Sequence, residues 1–263
     1  MAAEPRSRGR RVLRLLGALP LLAVAGYVVT LAVSSSAPAQ QSLGAAAPFV
    51  APATEPLPPG VAQVSGAAAA PARDAGIAAL ADGAWLEATA AATGIPARAL
   101  AAYAGASLVL KQEQPACRLG WTTLAALGFI ESGHGTFGGT ELTADGYPGI
   151  PIVGPALNGD GFAAIPDTDG GVWDTDAVWD RAVGPLQFIP GTWERWGVDG
   201  NADGDYDPNQ IDDAVLGAAN YLCHSGPMDT PAGWRAAVFS YNHLEVYVDD
   251  VAAAANRYAA AVL

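Results

Sequence analysis

A single carboxylate stands at the end of an apolar helical stretch between Gly120 and Thr140. Leu124, Leu127 and Glu131 recur at helical spacing, so Glu131 continues the stripe that is expected to face the core. The glycines that follow are typical of a helix end, where the macrodipole is negative. Burial and this dipole both favour the protonated carboxyl, so a raised pKa and a role as general acid are predicted. An ordinary solvated glutamate at a helix end is the alternative.

Two further groups of polar residues have types that suit sugar recognition. In RAVGPLQFIPGTW, a Gly-Pro turn precedes Gln187, whose amide can both donate and accept hydrogen bonds. In FSYNH, Tyr241 and Asn242 place a phenol and an amide side by side near a predicted helix end. Taken singly, each group is equally compatible with ordinary loop and core chemistry.

An EF-hand pattern of oxygen ligands begins at Asp199 and matches positions 1, 3, 5 and 6 of such a loop. Position 12 is Gln210, a neutral amide that replaces the usual bidentate glutamate poorly. Asp213, in the following helical pattern, could close a lengthened loop instead. A structural Ca²⁺ is therefore predicted, and a solvated acidic turn is the alternative. The predicted ligands are Asp199, Asn201, Asp203, Asp205 and Asp213.

The chain contains two cysteines, Cys117 and Cys223. In an exported domain they most simply form a disulfide. Closing a loop of about 100 residues would contribute about 4 kcal/mol in the chain-entropy model. Zinc is the competing interpretation, with His224 as a third ligand, but no C-x-x-C or similar spacing supports it.

The apolar periodicity predicts a mainly α fold, because no run of residues alternates convincingly as a strand would. Between residues 136 and 180 the pattern gives way to Gly, Pro and Asp, and a loop of this length in a compact domain is usually functional. Its aromatic residues Phe162, Trp173 and Trp179 could line a sugar-binding groove. Besides the helix that carries Glu131, the helical patterns cover residues 75–94, 95–115, 190–197, 212–226, 231–242 and 243–263.

The N-terminus carries five arginines ahead of an apolar run over residues 15–33. This asymmetry predicts a signal peptide or a membrane anchor over residues 1–36. The run is just long enough to cross a bilayer, so a retained anchor with its positive end in the cytoplasm is favoured over cleavage. No cysteine lies near it, which excludes lipid attachment there. Residues 37–72, rich in Ala and Pro, are predicted to form a disordered spacer before a folded domain over residues 73–263.

The charge of the predicted domain limits its partners. From Arg73 onward the chain has 24 Asp and Glu against 8 Lys and Arg, a formal charge of −16. Such a charge excludes nucleic acid and anionic lipid as partners of the folded part. Neutral or cationic ligands, including sugars and metal ions, are compatible with it.

Four short motifs, IESGHG, AVGPLQFIP, AANYL and SYN, follow each other in this order. Together they resemble the lytic transglycosylases of bacterial cell walls, and most closely the membrane-bound lytic transglycosylase B type in its exported actinobacterial form. The resemblance covers roughly residues 95–258 and implies a lysozyme-like α+β domain that acts on peptidoglycan glycan strands. It implies that Glu131 is the only catalytic acid and that the chemistry needs no cofactor, with calcium in a structural role. The substrate contacts it implies are Ser132, Gln187, Tyr221, Tyr241 and Asn242.

By this resemblance, Glu131 would protonate the bond between N-acetylmuramic acid and N-acetylglucosamine and then act as base, giving a 1,6-anhydro product. A hydrolytic lysozyme-type muramidase is one alternative, and a non-catalytic wall-binding module is another. The segment over residues 136–180 departs from enterobacterial members, so chain-length and peptide-stem preferences do not carry over.

Overall fold

The computed structural model describes residues 57–60, 75–161 and 163–262. Seven α-helices and one two-stranded sheet make up its regular structure, so the mainly α prediction is confirmed. Short 3₁₀ turns lie at Ile77–Ala79 and Phe137–Gly139. The α-helices are α1 (Gly83–Thr93), α2 (Ala97–Glu113), α3 (Trp121–Ser132), α4 (Pro190–Trp196), α5 (Ile211–His224), α6 (Pro231–Tyr241) and α7 (Glu245–Ala261).

Helices α2 and α3 lie in the centre of the core and are buried along most of their length. Small residues let neighbouring backbones approach α2 closely. At Gly105, a Cβ atom would lie 2.0 Å from the carbonyl oxygen of Ile77, so only glycine fits there. The faces of α5 and α7 that meet α2 and α3 are aliphatic and alanine-rich, and they are buried as well. Burial of this apolar surface is the main stabilising contribution to the domain.

The first predicted helix, over residues 75–94, is shorter than expected. Its opening residues form the 3₁₀ turn, and α1 begins only at Gly83. Asp82 caps α1, because its side chain accepts a hydrogen bond from the Trp85 amide at 2.9 Å. The helix ends at Gly94, which has a left-handed conformation, as the sequence predicts.

A small sheet accompanies the helices, although no alternating run in the sequence indicated where its strands lie. Strand β1 (Val153–Ala156) pairs antiparallel with β2 (Arg181–Val183), and isolated antiparallel bridges join residue 158 to residue 164 and residue 166 to residue 179. Both strands are very short, and β1 contains Gly and Pro, so neither shows the alternation by which strands are recognised.

The predicted disulfide is confirmed. Cys117 and Cys223 are bonded, with Cα atoms 5.3 Å apart, and they connect the segment between α2 and α3 to the end of α5. The Met228 amide also donates to the carbonyl of Cys117 at 2.8 Å. Because both sulfur atoms are bonded to each other, the zinc interpretation is excluded.

The predicted anchor and most of the predicted spacer lie outside the described residues. Residues 57–60 of the spacer are described, and they contact the domain: Gly60 forms a bridge with Ala81, and the Asp82 amide donates to the Pro59 carbonyl at 2.8 Å. No helix in the described part of the chain is both long and apolar enough to span a membrane.

Candidate active site

Glu131 lies in the last turn of α3, where the glycine pattern places it. The helix ends because Gly133 adopts a left-handed conformation with φ of 60°, and the next amide, that of His134, donates to the Gly128 carbonyl at 2.8 Å. The apolar face of α3 thus delivers one carboxyl to the surface of the core.

A tyrosine from the far end of the chain contacts this carboxyl. Tyr247, in the first turn of α7, donates from its hydroxyl to Glu131 Oε1 at 2.5 Å. Burial raises the pKa of Glu131 to about 7, and the hydrogen bond from Tyr247 opposes this rise. The residue Glu131 nevertheless remains partly exposed, so a substrate can approach it. Among the described residues, no ion pair includes Glu131.

Tyr241 lies near the carboxyl, and Tyr221 packs against Tyr241. The charge of Glu131 contributes to a raised pKa of Tyr241, after the larger effect of burial, which shows that the two groups are close. The rings of Tyr241 and Tyr221 pack edge to face with centroids 5.6 Å apart. Their hydroxyls donate to main-chain carbonyls, Tyr241 to Leu186 at 2.8 Å and Tyr221 to Ser240 at 2.5 Å.

Ser132 is buried, and its hydroxyl is used within the protein. It donates to the Pro185 carbonyl at 2.6 Å and accepts a hydrogen bond from the Gly135 amide at 2.8 Å. Tyr241 binds the next carbonyl, that of Leu186. Two of the predicted substrate contacts therefore attach the Gly-Pro turn to α3 and α6.

This turn brings Gln187 to the site. Gly184 is required at its start, because φ is 75° and a Cβ atom would lie 1.9 Å from the Pro208 carbonyl oxygen. Gln187 itself has a positive φ of 49°. Its side-chain nitrogen, Nε2, donates to the Gly184 carbonyl at 2.9 Å. Asn242, the C-cap of α6, is partly exposed. Its side chain and the side-chain oxygen of Gln187 form no hydrogen bonds with other residues that the structure describes.

The sequence interpretation missed Tyr247 and assigned no role to His134. Tyr247 is 116 residues from Glu131, so no local motif joins them. One feature of the sequence of α7 could have indicated this contact. On the buried face of α7, Tyr247 and Tyr258 are the only large polar side chains, and the other residues are Val and Ala. Buried tyrosines normally have a hydrogen-bond partner, so this face predicts polar partners on the helix packed against it.

The aspartate-rich loop before α5 is held by its own side chains. Asp199 accepts hydrogen bonds from the amides of Asp203 at 3.2 Å and Gly204 at 2.9 Å. Asn201 accepts from the Asp203 amide, and Asp203 accepts from the Asp205 amide. Carboxylate and amide oxygens of this kind form a donor set that fits calcium.

Asp213 closes this loop from the first turn of α5. It accepts hydrogen bonds from the amides of Gly200, Asn201 and Asp207. Burial raises the pKa of Asp213 to about 6, and the charge of Asp199 adds to this rise. Asp213 therefore contacts the loop at both of its ends, and its role as a calcium ligand stays a prediction.

Gln210, at position 12 of the EF-hand pattern, has a different role. It is fully buried and caps α5, since its side-chain oxygen accepts from the amides of Asp212 and Asp213. Its amide nitrogen donates to the Asp145 carbonyl and to Asp212, which is also paired with Arg98. A neutral amide satisfies both requirements, because it can accept and donate at once.

In the part of the chain that the structure describes, one group of three carboxylates has oxygen atoms within 4.8 Å of one another. It consists of Asp167, Asp169 and Asp180 in the segment before β2, and the predicted calcium loop forms no such group. Of the aromatic residues in this segment, Trp173 packs against the core, Trp179 is partly exposed, and Phe162 lies outside the described residues.

Comparison with known families gives a match for part of the chain. The family model described as Transglycosylase SLT domain matches residues 172–250. The matched part contains four of the five predicted substrate contacts, whereas Glu131 and Ser132 lie before it. The match supports a lytic transglycosylase family for this domain. No curated protein and no solved structure matches the chain.

Proposed function

We propose that the domain is a lytic transglycosylase that cleaves the β-1,4 bond between N-acetylmuramic acid and N-acetylglucosamine in peptidoglycan. The observation that carries this proposal is Glu131, a partly exposed carboxyl whose pKa is raised to about 7 by burial. A group with this pKa can give up a proton and take one back at neutral pH. The family match over residues 172–250 supports the same substrate class.

The reaction requires one protein carboxyl. Protonated Glu131 donates its proton to the glycosidic oxygen as the bond from that oxygen to C1 breaks. The acetamido oxygen of the muramic residue stabilises C1, in place of the second carboxylate of an ordinary glycosidase. The Glu131 carboxylate then accepts the proton of the muramic 6-hydroxyl, whose oxygen bonds to C1. The product is a 1,6-anhydro sugar, Glu131 is protonated again, and no water or cofactor is consumed.

Tyr247 stabilises the carboxylate form that Glu131 has between its two proton transfers. Its hydroxyl donates to Glu131, so its hydrogen bond is strongest while Glu131 is a carboxylate. Burial favours the neutral carboxyl, and Tyr247 partly offsets that preference. The two effects together keep both protonation states accessible during one turnover.

The predicted contacts divide into three groups by what their polar atoms already bind. The side-chain oxygen of Gln187 and the side-chain amide of Asn242 are available to hydrogen-bond the sugars, whereas the side-chain nitrogen of Gln187 already donates to the Gly184 carbonyl. Tyr221 and Tyr241 offer aromatic surface, because their hydroxyls donate to main-chain carbonyls. Ser132 supports the turn that carries Gln187.

The enzyme acts outside the cytoplasm, where its glycan substrate is located. In this proposal, residues 1–36 direct export and tether the protein to the membrane, and the spacer over residues 37–72 lets the domain over residues 73–263 reach the glycan strands. The disulfide is consistent with an oxidising compartment.

Digestion of purified peptidoglycan by the full-length chain tests the reaction. Mass spectrometry of the released fragments is expected to show 1,6-anhydro ends. Replacing Glu131 with Gln removes the proton donor while preserving shape, and activity is expected to fall about a thousandfold or more. Glu87→Gln is the matched control, because Glu87 is an exposed glutamate on α1 and its loss should change nothing.

Each alternative has its own outcome. Reducing ends that have gained water would identify a hydrolytic muramidase and contradict transglycosylation. Unchanged release of wall fragments by Glu131→Gln would remove Glu131 from the chemistry. Binding to the wall without any release would favour a non-catalytic module.

The proposal includes a structural calcium ion held by the loop before α5. Its ligands are Asp199, Asn201, Asp203, Asp205 and Asp213, whose oxygens suit this cation. The ion would stabilise the loop that lies against the start of α5 and would take no part in proton transfer.

Calorimetry with Ca²⁺ tests this site without reference to activity. Binding, and a rise of the unfolding temperature on adding Ca²⁺, are expected for the wild type and should be lost in Asp213→Ala. Asp169→Ala is the matched control from the other acidic segment. Undiminished affinity in Asp213→Ala would remove Asp213 from the site, and loss of binding only in Asp169→Ala would assign the ion to the segment before β2.

A further inference from the structure

We propose that His134 is a positioning residue that fixes the end of α3 against α7 and thereby keeps Glu131 beside Tyr247. Its kinetic test rests on the function proposed above, while its structural test does not. The inference depends on a buried group of hydrogen-bonded side chains that Tyr103, His134 and Tyr258 form behind the carboxyl.

The imidazole of His134 has a tyrosine on each side. Its Nδ1 atom lies 3.1 Å from the Tyr103 hydroxyl, and its Nε2 atom lies 2.9 Å from the Tyr258 hydroxyl. Burial lowers the pKa of His134 to about 3, and the nearby guanidinium of Arg257 adds to this effect. The ring is therefore neutral at physiological pH and has one donor and one acceptor nitrogen. Both nitrogens are used, so His134 connects α2 to α7 through the segment that ends α3.

The end of α3 contacts α7 through two tyrosines, and both tyrosines lie on one face of α7. Tyr247 and Tyr258 are 11 residues apart, which is three helical turns, or about 16 Å along the axis. Glu131 meets Tyr247, and His134, three residues later, meets Tyr258. One contact alone would restrict rotation and sliding of the end of α3 against α7 less than two do. Two contacts far apart on the same face fix its position.

The backbone around His134 also indicates that the side chain has a purpose. His134 has a φ of 65°, directly after Gly133 in the same left-handed region. Glycine adopts this conformation more easily than histidine, which has a Cβ atom. The two hydrogen bonds of the ring offset this cost, whereas a side chain without partners would not.

Gly128 provides the space that the group needs. A Cβ atom at this position would lie 2.0 Å from the Tyr103 hydroxyl oxygen, so only glycine lets that hydroxyl pass α3 and reach His134. On the opposite side, Arg257 donates to the Tyr258 hydroxyl at 3.1 Å and stacks on the ring of Phe129, 4.6 Å from its centre. The imidazole is thus enclosed, with an exposure of 5%, and it acts through Glu131 rather than on the substrate.

Substitutions of His134 in the full-length chain test the inference. His134→Phe keeps an aromatic ring but removes both hydrogen bonds. Its kcat is expected to fall roughly tenfold to a hundredfold with little change in KM, because small displacements of a catalytic group have effects of this size. His134→Gln can keep one of the bonds and is expected to be intermediate.

A second readout does not depend on turnover. The carboxyl of Glu131 can be followed by carbon NMR of glutamate-labelled protein, with Glu131→Gln providing the assignment. If the end of α3 loosens in His134→Phe, water reaches the carboxyl and its pKa is expected to fall toward the usual value. The basic limb of the activity profile should move to lower pH in parallel.

Leu110→Ala is the control for a loss of stability alone. Leu110 is buried on α2, about two turns beyond Tyr103, and has no polar side-chain atom that could join the hydrogen-bonded group. This variant is expected to be at least as destabilised as His134→Phe but to keep the wild-type titration of Glu131. If His134→Phe also keeps that titration and the wild-type kcat, the proposal is wrong.

Two further outcomes separate the possible failures. If Glu131→Gln retains activity, the proposed function fails, while the NMR titration still tests the position of Glu131. If His134→Phe does not fold, Tyr258→Phe removes one bond to the ring and keeps the packing. The same titration and kcat then decide, and wild-type values for both would overturn the proposal.

Discussion

The two ends of α7 hold titratable groups of opposite kind in similar surroundings. At the first end, Tyr247 bonds to Glu131, whose pKa burial raises to about 7. At the other end, Tyr258 bonds to His134, whose pKa burial lowers to about 3. In both cases the low-dielectric interior disfavours the charged form. Near pH 7 the carboxyl therefore exchanges its proton readily, whereas the imidazole never takes one up.

The difference between the two ends lies in their access to solvent. Glu131 is partly exposed, so water or a sugar can reach it. His134 is buried by the residues that the structure describes. A shifted pKa alone thus does not distinguish a catalytic group from a structural one. Access to the group does, and the polar contacts at the two ends should respond differently to mutation.

Gly128→Ala is expected to have the largest effect, and it acts on the enclosed end. The new methyl group would overlap the Tyr103 hydroxyl, so either the helices separate or the bond from Tyr103 to His134 breaks. The loss in the free energy of unfolding is expected to be about 3 kcal/mol. Urea denaturation would measure it. The matched control is Gly83→Ala, because a Cβ atom at Gly83, in the first turn of α1, meets no atom within 4 Å. Equal stability of the two variants would contradict the close approach.

Tyr258→Phe and Tyr247→Phe test the contrast directly. Removing the Tyr258 hydroxyl leaves a buried nitrogen of His134 without a partner, which is expected to cost about 1–3 kcal/mol. Removing the Tyr247 hydroxyl should cost less than about 1 kcal/mol, because water can replace it at Glu131. Comparison of their unfolding free energies is the measurement. A larger loss in Tyr247→Phe would reverse the assignment of the two ends.

The dependence of the unfolding free energy on pH tests the Glu131 end of α7 alone. Because the pKa of Glu131 rises from a usual value of 4.5 to about 7 on folding, the native state binds the proton more tightly. Its contribution to stability is fully present below pH 4.5 and is lost as pH rises through about 7. Thermal unfolding of wild type and Glu131→Gln across this range should therefore differ in slope, with the steeper decline in the wild type. Parallel curves would show that Glu131 titrates normally.

The smallest effect is expected at the exposed surface beside Tyr247. Arg235 pairs with Glu245 at 2.7 Å and with Asp249 at 2.8 Å, on either side of Tyr247 along α7. These are solvent-exposed pairs, so Arg235→Ala should cost less than about 1 kcal/mol, and the cost should shrink with added salt. A salt-independent loss above that size would mean that these pairs hold the start of α7 in place.

The helical part of the site was predictable, because its signals are local. Apolar spacing and the glycines after Ser132 indicated the end of α3 and the position of Glu131. The Asp-rich spacing likewise drew attention to Asp213, which accepts hydrogen bonds from the loop before α5. Each of these signals joins residues within a few turns of the same segment.

The contacts that complete the site were not predictable, because they join distant segments. Tyr247 reaches Glu131 across 116 residues, and Tyr241 reaches Leu186 across 55. The hydroxyl of Ser132 was expected to face a substrate, yet it bonds to the carbonyl of Pro185. Only the packing of α3 against α6 and α7 determines which backbone groups these side chains meet.

The disulfide described above makes a covalent ring of the chain between Cys117 and Cys223. Glu131 and Gln187 lie within this ring, whereas Asn242 and Tyr247 lie on the tail that follows it. A single proteolytic cut in the segment over residues 136–180 would therefore open the ring without releasing a fragment. The fragment that carries Glu131 and the fragment that carries Gln187 would stay covalently linked until the disulfide is reduced.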